Sequence, residues 1–394
     1  MDKYKERVRQ RVADILPELV ALSDTIWSHP EYNFEEHHAC AAMSEQLRRF
    51  GFRVETGVGG VATSVKGVYE SGKPGPNIGI FGEFDAVPGM GHACGHNLMC
   101  AMAVGAGEAL RSVLDELGGT VSVFGCPAEE GGGGKIIMLQ NGAFAGLDVA
   151  MLLHSASDTV VQDISYSRTD VLVHFYGKKS HAATWPEEGV SALTPVLELF
   201  NTVNALRLEI ADRGKILGVI RDGGEEPIYI PDHCSAEFTI RSFSMKDKLD
   251  LLDRFLKICQ HLAEITNTRF SYEPVGLPYE DIRNNPVLEE LLERNFTALG
   301  EQVKPREREL GIGCTDMGNV THEIPGLQSY VLVVPETRGH TPEFEAAVGG
   351  PAGHKTIAVG SSAMAMTAVD ILTDPSLLGR IRDAFAEMKA RYER

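Results

Sequence analysis

The seven cysteines, Cys40, Cys94, Cys100, Cys126, Cys234, Cys259 and Cys314, include no CxxC pair, and their number is odd. Scattered single thiols do not form a disulfide framework, so the pattern points to reduced cysteines and a cytoplasmic setting. Positive charge is also scarce: 37 Lys and Arg face 55 Asp and Glu, a formal net charge of −18. A protein that grips phosphates needs a basic face, so neither nucleic acid nor an anionic membrane is expected as a partner. The opening MDKYKERVRQRVADIL lacks the apolar core of a signal peptide. No run is read as approaching the roughly 18 apolar residues of a membrane span. A phosphate-binding GxxxxGK[ST] loop is missing too, because the GGGG at 131–134 leads into Lys135 and Ile136. Internal repeats and low-complexity segments are absent.

What remains is the make-up of an ordinary globular protein, 394 residues with 43% hydrophobic and 23% charged content, long enough for two cores. Apolar positions Val8, Val12, Ile15, Leu16, Leu19 and Ile26 predict a helix over 3–27, broken or restarted at Pro17. Beyond it, strands and helices alternate: FRVET, VATSVKGVY and NIGIFGEFDAVPG, a helix from about Leu98 to Leu117, the strand TVSVFGC, a short helix from about Lys135, then DVAMLLHS. Such alternation reads as βαβ units on a mostly parallel sheet. The character then changes to strand 169–176, helix 188–207, strands 215–221 and 233–242, helix 245–266 and strand 268–273. That βαββαβ order is ferredoxin-like. A helix from Pro286 to Leu299, the strand SYVLVV and an Ala-rich helix from about Gly353 return to the first pattern. The expected architecture is therefore an α/β domain over 1–168 and 279–394, interrupted by a smaller α+β domain over 169–278.

Chemistry collects where the strands of the first domain end. GIFGEFD delivers Glu83 and Asp85, VSVFGCPAEE delivers Glu129 and Glu130, and DVAMLLHS delivers His154. Open α/β sheets bind ligands beyond the carboxyl ends of their strands. The loop GMGHACGHN at 89–97 follows the first of these ends and carries His92, Cys94 and His96 among glycines. Thiolate, imidazole and carboxylate together are ligands for zinc and its neighbours. Of two adjacent acids, one can hold an ion while the other takes a proton from water, and the glycines after Glu130 are read as keeping side chains out of the site. A lone buried cysteine or histidine is more often core or surface filling, and a closed structural zinc is the other metal reading, although such sites favour CxxC-type spacing.

Seven ordered motifs carry a resemblance: HPEYNFEE (29–36), GEFDAVPGMGHACGHN (82–97), PAEEGGGGK (127–135), SHAA (180–183), IPD (230–232), TDMGNVTH (315–322) and GHTPEF (339–344). On these the chain resembles the M20 metallopeptidase/amidohydrolase family, in the branch of aminobenzoyl-glutamate hydrolases and aminoacylase-1-like-2 dipeptidases. The resemblance implies a di-metal catalytic domain with an inserted lid and dimerisation domain, and hence a homodimer. It implies two divalent ions, zinc or manganese before cobalt or nickel, held by Cys94, His96, Glu130, His154 and His340. It makes Glu129 the general base and acid that activates a metal-bridged water, and Asp85 the carboxylate that orients a ligand imidazole. His181 would stabilise the oxyanion, against the plainer reading of a turn histidine. Arg241 would bind a substrate carboxylate, against that of a surface arginine. The implied reaction is cleavage of the amide bond of an N-acyl or N-aroyl amino acid or a dipeptide.

One departure stands out. Ile228 occupies the place where the family usually has an asparagine lining the substrate site, with Glu225 and Glu226 beside it. It is the one support for an alternative, hydrolysis of another C–N bond such as deamination of an aromatic amine. A catalytically inactive binding protein of the same fold is a separate alternative, against which stands a site that keeps Glu129 and every implied ligand.

Overall fold

Val8, Val12, Ile15, Leu19, Leu22 and Ile26 recur every three or four positions and form the buried stripe of one continuous helix, Lys3–Trp27. Pro17 does not break it. The proline faces outward between the buried Ile15 and Leu19, and burial on both sides outweighs the roughly 3 kcal/mol an internal proline costs. This computed structural model describes residues 3–211, 213–305 and 312–392. The chain divides into two units, one made of the residues up to Ile164 and from Ile282 onward, the other of Ser165–Asp281.

The first unit is built on an eight-stranded sheet. Its order is Arg53–Thr56, Val65–Glu70, Thr120–Cys126, Asn77–Glu83, Val149–Ala156, Gly326–Leu332, Thr159–Val160 and Val303–Lys304. The four central strands run parallel to one another, while the outer neighbours add antiparallel pairs. Central strands read as unbroken apolar runs because both faces are covered. Helices Lys3–Trp27, His96–Leu117 and Pro351–Thr373 pack together. The last is long and apolar enough to cross a membrane, contrary to the expectation of no such run, yet 72% of that stretch is buried within the protein. It is a core helix.

The second unit is a four-stranded antiparallel sheet in the order Arg269–Tyr279, Ser167–Tyr176, His233–Ser242, Gly214–Asp222. Helices Leu193–Glu209 and Met245–Ile265 supply Val196, Leu199, Val203, Leu251 and Phe255 to a core of its own. Two predicted elements shift. The helix expected from residue 188 starts at Leu193, because Lys178 and Val190 pair their backbones (2.8 and 2.9 Å) and hold that stretch extended. The strand expected to stop at 273 runs on to Tyr279 through Pro274, which an edge strand tolerates.

Candidate metal centre and active site

Adjacent parallel strands end side by side, with Glu83 paired in register to Cys126 and His154 on the neighbouring strand. The loop that carries Cys94 enters helix His96–Leu117 through Gly95, whose φ of 78° is left-handed. A Cβ there would also stand 2.1 Å from Ser155 Oγ, so only glycine closes this loop onto the sheet.

Three groups of donors converge. Cys94, His96 and His154 have ligand atoms within 4.8 Å of one another, as do Cys94, Glu130 and His340, and Glu83, His96 and Glu129. Cys94 is common to the first two groups, the arrangement of a thiolate shared between two ions. The imidazoles are oriented for this. Nδ1 of His96 lies 2.9 Å from the Asp85 carbonyl and 3.0 Å from its carboxylate, so Nδ1 carries the hydrogen and Nε2 is left buried without a hydrogen bond. Nδ1 of His154 likewise meets the Ser155 carbonyl at 2.8 Å, and its Nε2 faces Cys94 Sγ at 3.5 Å. Asp85 also accepts the Glu130 N–H at 3.0 Å, tying the two groups together. His340 Nε2 lies 3.1 Å from Glu130 Oε1. Its backbone N–H donates to the Ala93 carbonyl (2.8 Å), and its φ of 61° is left-handed.

The electrostatics are those of a cation site. Burial, then the charges of Glu83, Asp316 and Glu130, pushes Glu129 well above the usual carboxylate range. Burial acts the same way on Glu130, but the His340 hydrogen bond and the charges of His96 and His340 overcome it and bring it to about 2. Burial raises the Cys94 thiol, so binding an ion there must release a proton. Orphaned buried atoms at His96 and Glu83 together with this donor set fit two divalent ions. His92 stands apart. Burial lowers it to about 4, and its Nε2 bonds the Ile26 carbonyl, the pattern of a neutral core histidine.

Sequence reasoning passed over two supports. Lys135 is fully buried; its Nζ donates to Glu83 Oε1 at 2.5 Å and pairs with Asp316, whose other oxygen accepts the Lys135 N–H at 2.8 Å. Glu36 is buried as well, accepting from the backbone N–H groups of Phe34 (3.0 Å) and Ala128 (3.2 Å) and from Thr63 Oγ1 (3.0 Å). Ala128 has a φ of 57°, a strained turn that aims Glu129 and that Glu36 holds in place. The glycines after Glu130 serve packing instead of clearing the site: a Cβ at Gly134 would lie 1.9 Å from the Pro127 carbonyl, and one at Gly132 2.6 Å from the Phe34 ring. HPEYNFEE and PAEEGGGGK were the signals for Glu36 and Lys135, but neither shows burial in one dimension.

His181 and Arg241 belong to the other unit. His181 sits on a two-stranded ribbon, Ser180–His181 with Tyr229–Ile230, and Ala182 N–H donates to the Ile228 carbonyl at 2.8 Å. Its Nδ1 accepts from the N–H groups of Ala183 (3.3 Å) and Thr184 (3.2 Å), which leaves the hydrogen on Nε2. Ile228 is half exposed on the same ribbon. Arg241 lies in register between Arg168 and Lys215 on the sheet face away from the buried Phe238 and Ile240, and its Nε is buried without a hydrogen bond.

Residues 74–348 match the Peptidase family M20/M25/M40. The mouse Xaa-Arg dipeptidase is 31% identical over 98% of this chain and 93% of its own length. A p-aminobenzoyl-glutamate hydrolase component from Escherichia coli is 31% identical over 68% of this chain and 58% of its own length. Among solved structures, a dinuclear metal-binding M20 peptidase from Bacillus subtilis superposes with a TM-score of 0.74 at 19% identity, covering 92% of this chain and 99% of that one. An aminobenzoyl-glutamate utilization protein from Klebsiella pneumoniae gives 0.72 at 16% identity, covering 92% and 98%.

Proposed function

Because the chain belongs to peptidase family M20/M25/M40, we propose that it hydrolyses the amide bond of a dipeptide or an N-acyl or N-aroyl amino acid at a centre of two divalent ions. The observation that carries this reading is Cys94 shared by two donor groups, with the buried acid Glu129 beside them. Cys94, His96 and His154 would hold one ion, and Cys94, Glu130 and His340 the other. When bound, such ions would supply Lewis acidity, which polarises an amide carbonyl and acidifies water. The thiolate, three imidazoles and carboxylate suit zinc first, with manganese, cobalt and nickel as alternatives.

The chain's own residues do the rest. A Glu129 oxygen takes the proton from the attacking water, holds it in a pocket largely closed to solvent, and passes it to the departing amine nitrogen. Asp85 keeps His96 and Glu130 in place, and Ala128's strained turn keeps Glu129 aimed. His181, with its hydrogen on Nε2, would donate to the oxyanion. Arg241, between two further cations, would bind a substrate carboxylate. The relatives act, by their names, on Xaa-Arg dipeptides and p-aminobenzoyl-glutamate, and both substrate types end in a carboxylate of this kind.

A homodimer through the inserted unit and a cytoplasmic setting complete the proposal. Supporting the first are Leu217 and Val219, about half exposed on the edge strand Gly214–Asp222. Supporting the second are seven cysteines with no disulfide. The test is incubation of the metal-reconstituted protein with aminobenzoyl-glutamate, N-acyl amino acids and Xaa-Arg dipeptides, read by mass spectrometry with Glu129→Gln as the blank. Cleavage of an amide that is absent in the blank is the expected result; silence across the panel with two ions bound would reject the reading.

A further inference from the structure

One side chain from each strand of the second unit joins a row across its sheet, in the order in which the strands lie. Glu273, His174, His233 and Asp222 come from Arg269–Tyr279, Ser167–Tyr176, His233–Ser242 and Gly214–Asp222. His174 Nδ1 meets His233 Nε2 at 3.1 Å, and His233 Nδ1 meets Asp222 Oδ2 at 3.1 Å. Glu273 Oε1 stands 3.8 Å from His174 Nε2, beyond hydrogen-bond length.

The two imidazole rings have their centroids 5.4 Å apart. With the nitrogens at 3.1 Å, that separation sets them head-on, as an N–H···N hydrogen bond requires. Ligands of one ion would instead converge on a point off the line between them, so the pair is a hydrogen bond and not a metal site. Asp222 anchors it. The Gly224 N–H (3.0 Å), then His233, hold this carboxyl below the usual carboxylate range against burial, and an ionised carboxylate accepts from His233 Nδ1. Tyr176 packs against both rings, with centroids 6.1 Å from His174 and 5.2 Å from His233.

The place of this row gives it a use. Tyr176 and His233 form the last rung between the two central strands, and just beyond it Gly177 N–H donates to the Asp232 carbonyl at 2.8 Å. From there both strands leave the sheet as the ribbon of Ser180–His181 with Tyr229–Ile230. Phe175 and Cys234 are the last residues that these two strands give to the core. Core packing thus stops where the ribbon starts, and polar contacts hold its root.

We propose that His174 and His233 are positioning residues: bonded to each other and to Asp222, they fix the root of the ribbon and with it the direction of His181. The inference rests on the role proposed for His181.

The experiment follows amide hydrogen exchange in the full chain, comparing His233→Phe and His233→Gln with wild type. Phe keeps a ring to pack on Tyr176 and loses both nitrogens, whereas Gln loses the ring and keeps a donor and an acceptor. In His233→Phe the Gly177 and Ala182 amides are expected to exchange about tenfold faster or more, and in His233→Gln to stay within about threefold of wild type. Unchanged ribbon exchange in His233→Phe overturns the inference. So does equal acceleration in both variants, which would make the ring a packing element only. Should His233→Phe not fold, His174→Phe removes the same hydrogen bond and gives the same readout. Steady-state kinetics separates the inference from the reading beneath it. With His181 acting as proposed, His233→Phe lowers kcat about tenfold at a KM within about twofold. Full kcat in His233→Phe beside a low one in His181→Ala overturns the positioning role. Full kcat in both rejects the role of His181, and the exchange result still decides whether the histidine pair fixes the ribbon.

Discussion

Glu129 is held among acids in a pocket largely closed to solvent, and burial with the charges of Glu83, Asp316 and Glu130 pushes its carboxyl well above the usual carboxylate range. Divalent cations bound beside it would reverse the local field and favour the ionised form that a base requires. Glu129→Gln keeps the shape and removes the proton acceptor, so kcat is expected to fall by about a thousandfold while two ions still bind. Steady-state kinetics together with metal analysis checks both halves. His181 differs because its hydrogen is directed by two backbone donors on Nδ1 and not by a neighbouring acid. In its proposed role, replacing it with Ala would remove a donor to developing charge and is expected to lower kcat by about a hundredfold or more with little change in KM. A rise in KM at constant kcat would make it a binding residue instead.

Elements impose their own terms. The loop that carries Cys94 closes through left-handed Gly95 against Ser155. Gly95→Ala adds a left-handed penalty of about 1–2 kcal/mol to a steric collision. It should unfold at clearly lower denaturant and lose both ions, which a metal-content assay reads directly. On helix Pro286–Ala298, Glu289 is pushed to about 7 by burial, with the charges of Asp163 and Glu293 adding to it against an Asn284 hydrogen bond. Its folded value lies above its unfolded one. The folded chain therefore holds the extra proton between about pH 4.5 and about pH 7, and stability declines as pH rises through that window. Glu289→Gln is expected to flatten this slope, gaining of order 2 kcal/mol at pH 8 and almost nothing at pH 4. Denaturation curves at the two pH values test it, and equal gains at both would contradict it.

For the molecule as a whole, the inserted unit begins and ends on neighbouring strands, since Arg168 stands opposite Tyr279 in register. Ends so close allow one chain to carry a second core without disturbing the first. Residues 165–281 expressed alone are expected to unfold cooperatively. In the full chain, calorimetry should show a transition that a chelator lowers and another, matching the fragment, that it leaves in place, because bound ions stabilise only the unit that holds them. A single transition that moves as one with chelator would refute independent cores.

Periodicity and punctuation were legible in one dimension. The stripe from Val8 to Ile26, the apolar runs of the central strands and the βαββαβ order followed from side-chain alternation, which depends on neighbours along the chain. Glu129, Glu130 and His154 stood out because polar groups at the ends of apolar strands have few other uses, and Cys94 and His96 because they sit close together in a glycine loop. His340 was different. No local pattern marks a histidine in RGHTPEF, and only the resemblance singled it out before the structure placed it on Glu130. The sequence alone thus determined which segments become helix and strand and which residue types could hold an ion, since both depend on chemistry local to the chain. Tertiary structure decided that helix Lys3–Trp27 runs through Pro17, that Lys178 and Val190 delay a helix by pairing, and that Lys135 and Glu83 meet in the interior. Burial and the direction of a lone pair are set by contacts between residues far apart in the chain, and no spacing along it encodes them.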